Sequence, residues 1–125
     1  MENSLKVYTR FESAEIGYNA SLKFIYINFF KGSSSDEFRG IWNYALVLKI
    51  KHNANNWVLN QTYQNVDSTD LQWIQTVWFS QSVSITPLDK VNPRKIAFIE
   101  ANDFNIRNST KEFVVNNTIT GLFTN

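Results

Sequence analysis

The sequence predicts an α/β fold, a mixed β-sheet that opens with an antiparallel hairpin or meander and carries helices packed on it. Three observations predict this. The first thirty residues are patterned as strands, most densely at residues 22–30 (LKFIYINFF). Two later stretches place apolar side chains at helical spacing behind Ser- and Asp-rich starts. Beyond residue 30, helices alternate with short apolar runs, and strands joined through helices lie parallel with right-handed crossovers.

Residues 5–11 alternate, with Leu5, Val7, Thr9 and Phe11 on one face and Lys6, Tyr8 and Arg10 on the other, as in a half-buried strand. A second short strand is expected over residues 15–18, followed by a polar turn at Asn19, Ala20 and Ser21. Residues 22–30 are rich in aromatic and β-branched side chains, and their near-continuous apolarity predicts an interior strand.

Lys31 and Gly32 break that pattern. Ser34 with Glu37 three residues on matches a capping box, and Asp36 and Glu37 suit the positive end of a helix. At about 100° per residue, Phe38, Ile41, Trp42, Ala45 and Leu48 share one face of a helix ending near His52. Residues 57–60 form the next strand, short and expected to be central. A polar loop from Gln61 to Val66 follows.

Asp67 or Ser68 can cap a second helix running to about Ser82. Its buried face is expected at Leu71, Ile74 and Trp78, with Val77 at the margin and Phe79 off-centre. Pro87 and Pro93 bracket a surface loop over residues 86–92. Residues 94–101 (RKIAFIEA) form a further strand. A last helix is expected over residues 109–117, with Ser109 and Glu112 as a second capping box, and a final strand over 119–123. The order is β-β-β-α-β-α-β-α-β, in one domain spanning residues 1–125.

Composition narrows the function. At 125 residues the chain fits a single domain, and 43% hydrophobic with 15% aromatic residues can build its core. Only 4 Gly and 2 Pro argue against a turn-dense sandwich. A net charge of +1 gives no broad field for nucleic acid. Zero Cys removes thiol catalysis and thiolate metal sites. No run approaches the roughly 18 apolar residues of a membrane span, and residues 1–11 (MENSLKVYTRF) do not read as a signal peptide. Cytoplasmic localisation, with no membrane or nucleic-acid partner, is the expectation. His52 is the only histidine, its neighbours are asparagines, and no converging ligand set predicts a metal. G-x-S-x-G, G-x-G-x-x-G and P-loop patterns are absent. The chain is therefore expected to act without catalysis and without a cofactor.

The stretch 57–79 remains, where a strand, a polar loop and a helix start follow one another, the arrangement in which α/β proteins build sites. Val58-Leu59-Asn60, a loop, and Asp67-Ser68-Thr69 at a helix start resemble the STAS-like or SpoIIAA-like domains, the fold of bacterial anti-sigma-factor antagonists, which is related to the SEC14-like layout. The aromatic N-terminal hairpin, the acidic helix start at Asp36-Glu37-Phe38-Arg39 and the RKIAFI strand extend the resemblance over most of the chain. In signalling members of that family a partner kinase phosphorylates the hydroxyl residue before a Gly. By that resemblance Thr69 would be the phosphoacceptor, with Ser68 its neighbour. Asp70 stands where the family has Gly, placing bulk and charge beside it.

Ser68, Thr69 and Asp67 thus carry two readings, helix cap or phosphoacceptor. Trp73 falls about 160° from the Leu71–Ile74–Trp78 face, so it is expected to point away from the core, as an interface anchor or partly buried under the 86–92 loop or a neighbouring helix. Tyr63, Tyr44 and Asp70 would extend an interaction surface. Lys90, Arg94 and Lys95 make a basic cluster too small for nucleic acid. The expected function is a protein-interaction or regulatory module, engaging a protein partner or a second copy as a homodimer. The alternative is a carrier of a small apolar ligand or lipid, with its pocket between sheet and helices.

Overall fold

The computed structural model describes residues 5–54, 56–79, 95–99, 106–108, 110–111 and 120–124. Six strands form one sheet in sequence order: β1 (Leu5–Arg10), β2 (Ala14–Asn19), β3 (Phe24–Phe29), β4 (Asn56–Asn60), β5 (Lys95–Ile99) and β6 (Thr120–Thr124). β1, β2 and β3 pair antiparallel, whereas β3–β4, β4–β5 and β5–β6 are parallel. The mixed sheet and the interior places of β3 and β4 are as the sequence predicts.

Strand alternation sorts this sheet into two faces. The register sets Tyr18 beside Ile25, Trp57 and Ile96, and Ile16 beside Ile27, Leu59 and Phe98. All eight are buried. The opposite face carries Tyr26, Val58 and Ala97 in one row and Asn28, Asn60 and Ile99 in the next, all half-buried.

β3 starts two residues later than its apolar run. Asn19 Oδ1 accepts a hydrogen bond from Leu22 N at 2.8 Å, closing a turn in which Lys23 has φ 57° and Leu22 is left exposed. Gly17 lies where the β1–β2 register shifts between Val7 and Thr9; a Cβ there would stand 2.6 Å from the Lys6 carbonyl oxygen. Only glycine permits that approach.

Helix α1 (Ser35–His52) packs Phe38, Ile41, Trp42, Ala45 and Leu48 inward, the face read from spacing. Ser34 Oγ accepts from Glu37 N at 3.3 Å. The Glu37 carboxylate does not return the bond, so the capping box is half made; it turns to Ser13 in the β1–β2 turn. At the other end Asn53 adopts the left-handed conformation (φ 50°), and Ala54 N donates to Lys49 O at 3.1 Å. Lys49 is fully buried in the last turn, which nothing in the spacing foretold. His52, near the helix end, stacks on Tyr18 with centroids 4.0 Å apart and planes 10° apart.

Helix α2 (Ser68–Trp73) passes into a π-helical turn, Ile74–Trp78. Phe79 N donates to Ile74 O, five residues back. A π turn inserts one residue relative to the α-helical phase. The insertion corrects two expectations: Phe79 turns inward and is buried beside Trp78, and Val77 is 42% exposed. Trp42 and Trp78 both pack against Trp57, at 6.1 and 5.7 Å between centroids, so α1 and α2 cover the same face of the sheet.

Residues 106–108 are helical, so helical structure is present before the expected start at Ser109, and Ile106 is 1% exposed. Residues 110–111 are also helical. The 86–92 loop, Lys90, Arg94 and the Ser109–Glu112 box lie outside the described residues.

Candidate functional site

Two loops leave the C-terminal ends of the adjacent parallel strands β3 and β4, and each feeds a helix. Asn60 ends β4 by folding its side chain back: Oδ1 accepts from Thr62 N at 3.2 Å and Thr62 Oγ1 at 2.8 Å. Gln61 N donates to Ile99 O at 2.9 Å and ties the loop to β5. Ser33 N donates to Asn65 O at 3.2 Å, which joins the two loops. A Cβ on Gly32 would stand 3.2 Å from that same oxygen, so a small residue suits the crossing. The result is an open polar groove of about 600 Å³ between Gly32, Ser33 and Ser35 on one side and Asn65, Asp67 and Asp70 on the other.

Serines of the first loop and of the start of α1 are tied to carboxylates, Ser33 through Ser13 and Ser35 directly. Ser33 Oγ donates to Ser13 Oγ at 2.7 Å. Ser13 donates both its N–H, at 2.9 Å, and its hydroxyl to Glu37 Oε2. Ser35 Oγ donates to Asp70 Oδ2 at 2.7 Å, and Arg39 Nε donates to Asp70 Oδ1 at 3.1 Å. These bonds fix α1 to the β1–β2 turn and to α2.

The sequence-predicted residues divide across this junction. Asp67 takes the N-cap position of α2 but makes no side-chain cap bond. Ser68 and Thr69 lie in the first helical turn, exposed, and neither hydroxyl is engaged by another described residue. Tyr63 is 62% exposed. Asp70, expected on the interaction surface, is instead 1% exposed, with its charge turned inward to Arg39. Trp73, expected to face away from the core, is half-buried at the core's edge, with the Arg39 guanidinium 5.1 Å above its ring. Tyr44 does not join Tyr63; it packs edge-on against Phe11 at 6.5 Å.

A second region lies between sheet and helices, where the alternative reading places its pocket, and its lining residues are not marked by the sequence pattern. Phe38, Trp42, Trp57, Leu59, Trp78 and Phe98 enclose most of a cavity of about 60 Å³ between sheet and helices, with Gln61, Gln64, Gln75 and Thr110 among its polar lining. Trp78 Nε1 donates to Trp42 O at 2.7 Å. The signal available was the pair of glutamines in a loop directly behind a Trp-bearing strand, which strand alternation alone does not mark.

Among the described residues, titration is shifted at Tyr26, Glu12 and Lys31. Burial pushes the Tyr26 phenol above its usual range; a hydrogen bond with Asn60 opposes this and the Glu15 carboxylate adds to it. Glu12 is held below the usual carboxylate range by its hydrogen bond with Lys31 and that residue's charge, and Lys31 is raised in turn. Among the described residues no group of three or more His, Cys, Asp or Glu could hold a metal ion, and no helix is long and apolar enough to cross a membrane. Comparison of the chain with family models, curated proteins and solved structures returns no match.

Proposed function

We propose that the protein is a non-catalytic interaction or regulatory module of STAS-like or SpoIIAA-like type, working in the cytoplasm through the β4–α2 junction. The observation that carries this is the contrast within one helical turn. Ser68 and Thr69 stand exposed with unengaged hydroxyls, beside an exposed Tyr63, while Asp70 is buried and paired. Asp70 takes the place of the resemblance's Gly, and its charge is compensated by Arg39 at 3.1 Å. It therefore adds little repulsion to a phosphate on Thr69; Asp67 is the remaining opposing charge. The partner is a protein or a second copy of this chain. Peptide mass spectrometry of the chain recovered from its native cells tests the switch. Partial phosphorylation at Thr69 or Ser68 supports it, and a chain unmodified across growth conditions sinks it.

A second reading, a small-ligand carrier, is favoured by the tryptophan-lined cavity between sheet and helices.

A further inference from the structure

Three buried polar atoms around that cavity have no hydrogen-bond partner among the described residues: Trp42 Nε1, Trp57 Nε1 and Gln64 Oε1. Their residues are 6%, 3% and 3% exposed, and all three line the same space. A buried polar group left unpaired is costly, and native folds hold few of them. Three around one cavity call for an occupant.

The occupant's chemistry follows from the lining. Two indole N–H groups ask for an acceptor, and the Gln64 carboxamide, according to its flip, offers an acceptor or a donor. No charged side chain is among the described lining residues, so a carboxylate or ammonium would lose its water with no counter-ion in exchange. The space, about 60 Å³, exceeds the roughly 10–15 Å³ that a single ordered water requires. It is partly open, so a larger molecule can leave its remainder outside.

We propose that this pocket recognises the uncharged, hydrogen-bond-accepting head of a small molecule, an amide or ketone seated among Trp42, Trp57 and Trp78. The proposal rests on the carrier reading and narrows it, since a lipid tail has neither room here nor use for two donors. Without ligand, ordered water takes the same bonds.

The test titrates acetamide, and separately xenon, into the full ¹⁵N-labelled chain while following the four indole N–H resonances, assigned by single Trp→Phe variants. Acetamide is expected to move the Trp42 and Trp57 signals saturably and furthest, with a smaller change at Trp78, already bonded to a carbonyl, and none at Trp73, outside the cavity. Trp57→Phe keeps an aromatic ring, removes the donor, and is expected to weaken acetamide about three- to tenfold. If that variant fails to fold, Gln64→Leu, with the same expected direction, replaces it. Linear, unsaturable drift of all four signals overturns the proposal. Xenon shifts without acetamide shifts overturn the amide head but leave an apolar carrier standing; no response to either overturns the carrier reading as well.

Discussion

Arg39 Nε, on α1, lies 3.1 Å from Asp70 Oδ1 in the first turn of α2. The same guanidinium covers the Trp73 ring at 5.1 Å, and Ser35 holds the other carboxylate oxygen at 2.7 Å. One side chain of α1 thus fixes α2 at both ends, by charge at Asp70 and by stacking at Trp73. The two partners differ in exposure, with 2% of the Asp70 side chain reached by solvent against 43% of Arg39. Asp70 depends on the pair more than Arg39 does, because a buried carboxylate without its cation has no water to fall back on.

Replacing Asp70 by Ala or Gly is therefore expected to lower unfolding free energy by about 1–3 kcal/mol, since Ser35 and Arg39 lose a charged acceptor. Urea denaturation measures it. A change within about 0.5 kcal/mol for Asp70→Gly, in the range of ordinary surface substitutions, would mean that the carboxylate does not tie the helices.

Gly17→Ala puts a methyl 2.6 Å from the Lys6 carbonyl oxygen, against backbone that cannot rotate away. Overpacking of this kind costs about 1–3 kcal/mol. Thermal unfolding should show a clear drop in Tm, and an unchanged Tm would contradict the close approach at the β1–β2 irregularity.

Deleting Thr76 should be tolerated within about 1 kcal/mol, because removing one residue turns the Phe79-to-Ile74 bond into an ordinary α-helical bond while leaving Trp78 and Phe79 in place. A deletion in a regular helix would instead rotate every later side chain by about 100°. Loss of folding in the Thr76 deletion would contradict the π-helical account of why both aromatics are buried.

Tyr26 should ionise above the ordinary tyrosine range, because burial raises its phenol. The sign follows from linkage: a group whose proton is held more tightly in the folded state contributes stability in full below the unfolded pKa of about 10, and loses it as pH rises through the folded value. Tyrosinate absorbance against pH should lose a late-titrating component in Tyr26→Phe. A late component that survives the substitution would assign it elsewhere.

Much of the fold was legible because period and face go together. The α1 stripe of Phe38, Ile41, Trp42, Ala45 and Leu48 is wholly buried, as spacing required, and a hairpin followed by βα alternation became an antiparallel-then-parallel sheet. The errors have two causes. Phase arithmetic on α2 assumed 3.6 residues per turn, and the π turn broke that assumption at Phe79 and Val77. Asp70 was read by local sequence, as a charge beside Thr69; its partners Arg39 and Ser35 lie 31 and 35 residues away. Glu37 fits a capping box locally and is claimed by Ser13, 24 residues earlier. Long-range pairing of polar groups is what one-dimensional pattern does not carry. The β4–α2 junction was found from order alone, since strand, loop and helix start are consecutive. The cavity behind it needed Trp42, Trp57 and Trp78 to meet from three separate elements.

Photo-cross-linking reads out whether the β4–α2 junction is a protein-interaction surface. A photoreactive residue would be placed in turn at Tyr63, at Thr69 and, as a control, at Leu22, which is 69% exposed in the β2–β3 turn. Irradiation in the native cell is predicted to yield the same discrete adduct, with a partner protein or a second copy, from Tyr63 and Thr69 and not from Leu22. No adduct from the two junction positions, or one indistinguishable from that at Leu22, would contradict the account.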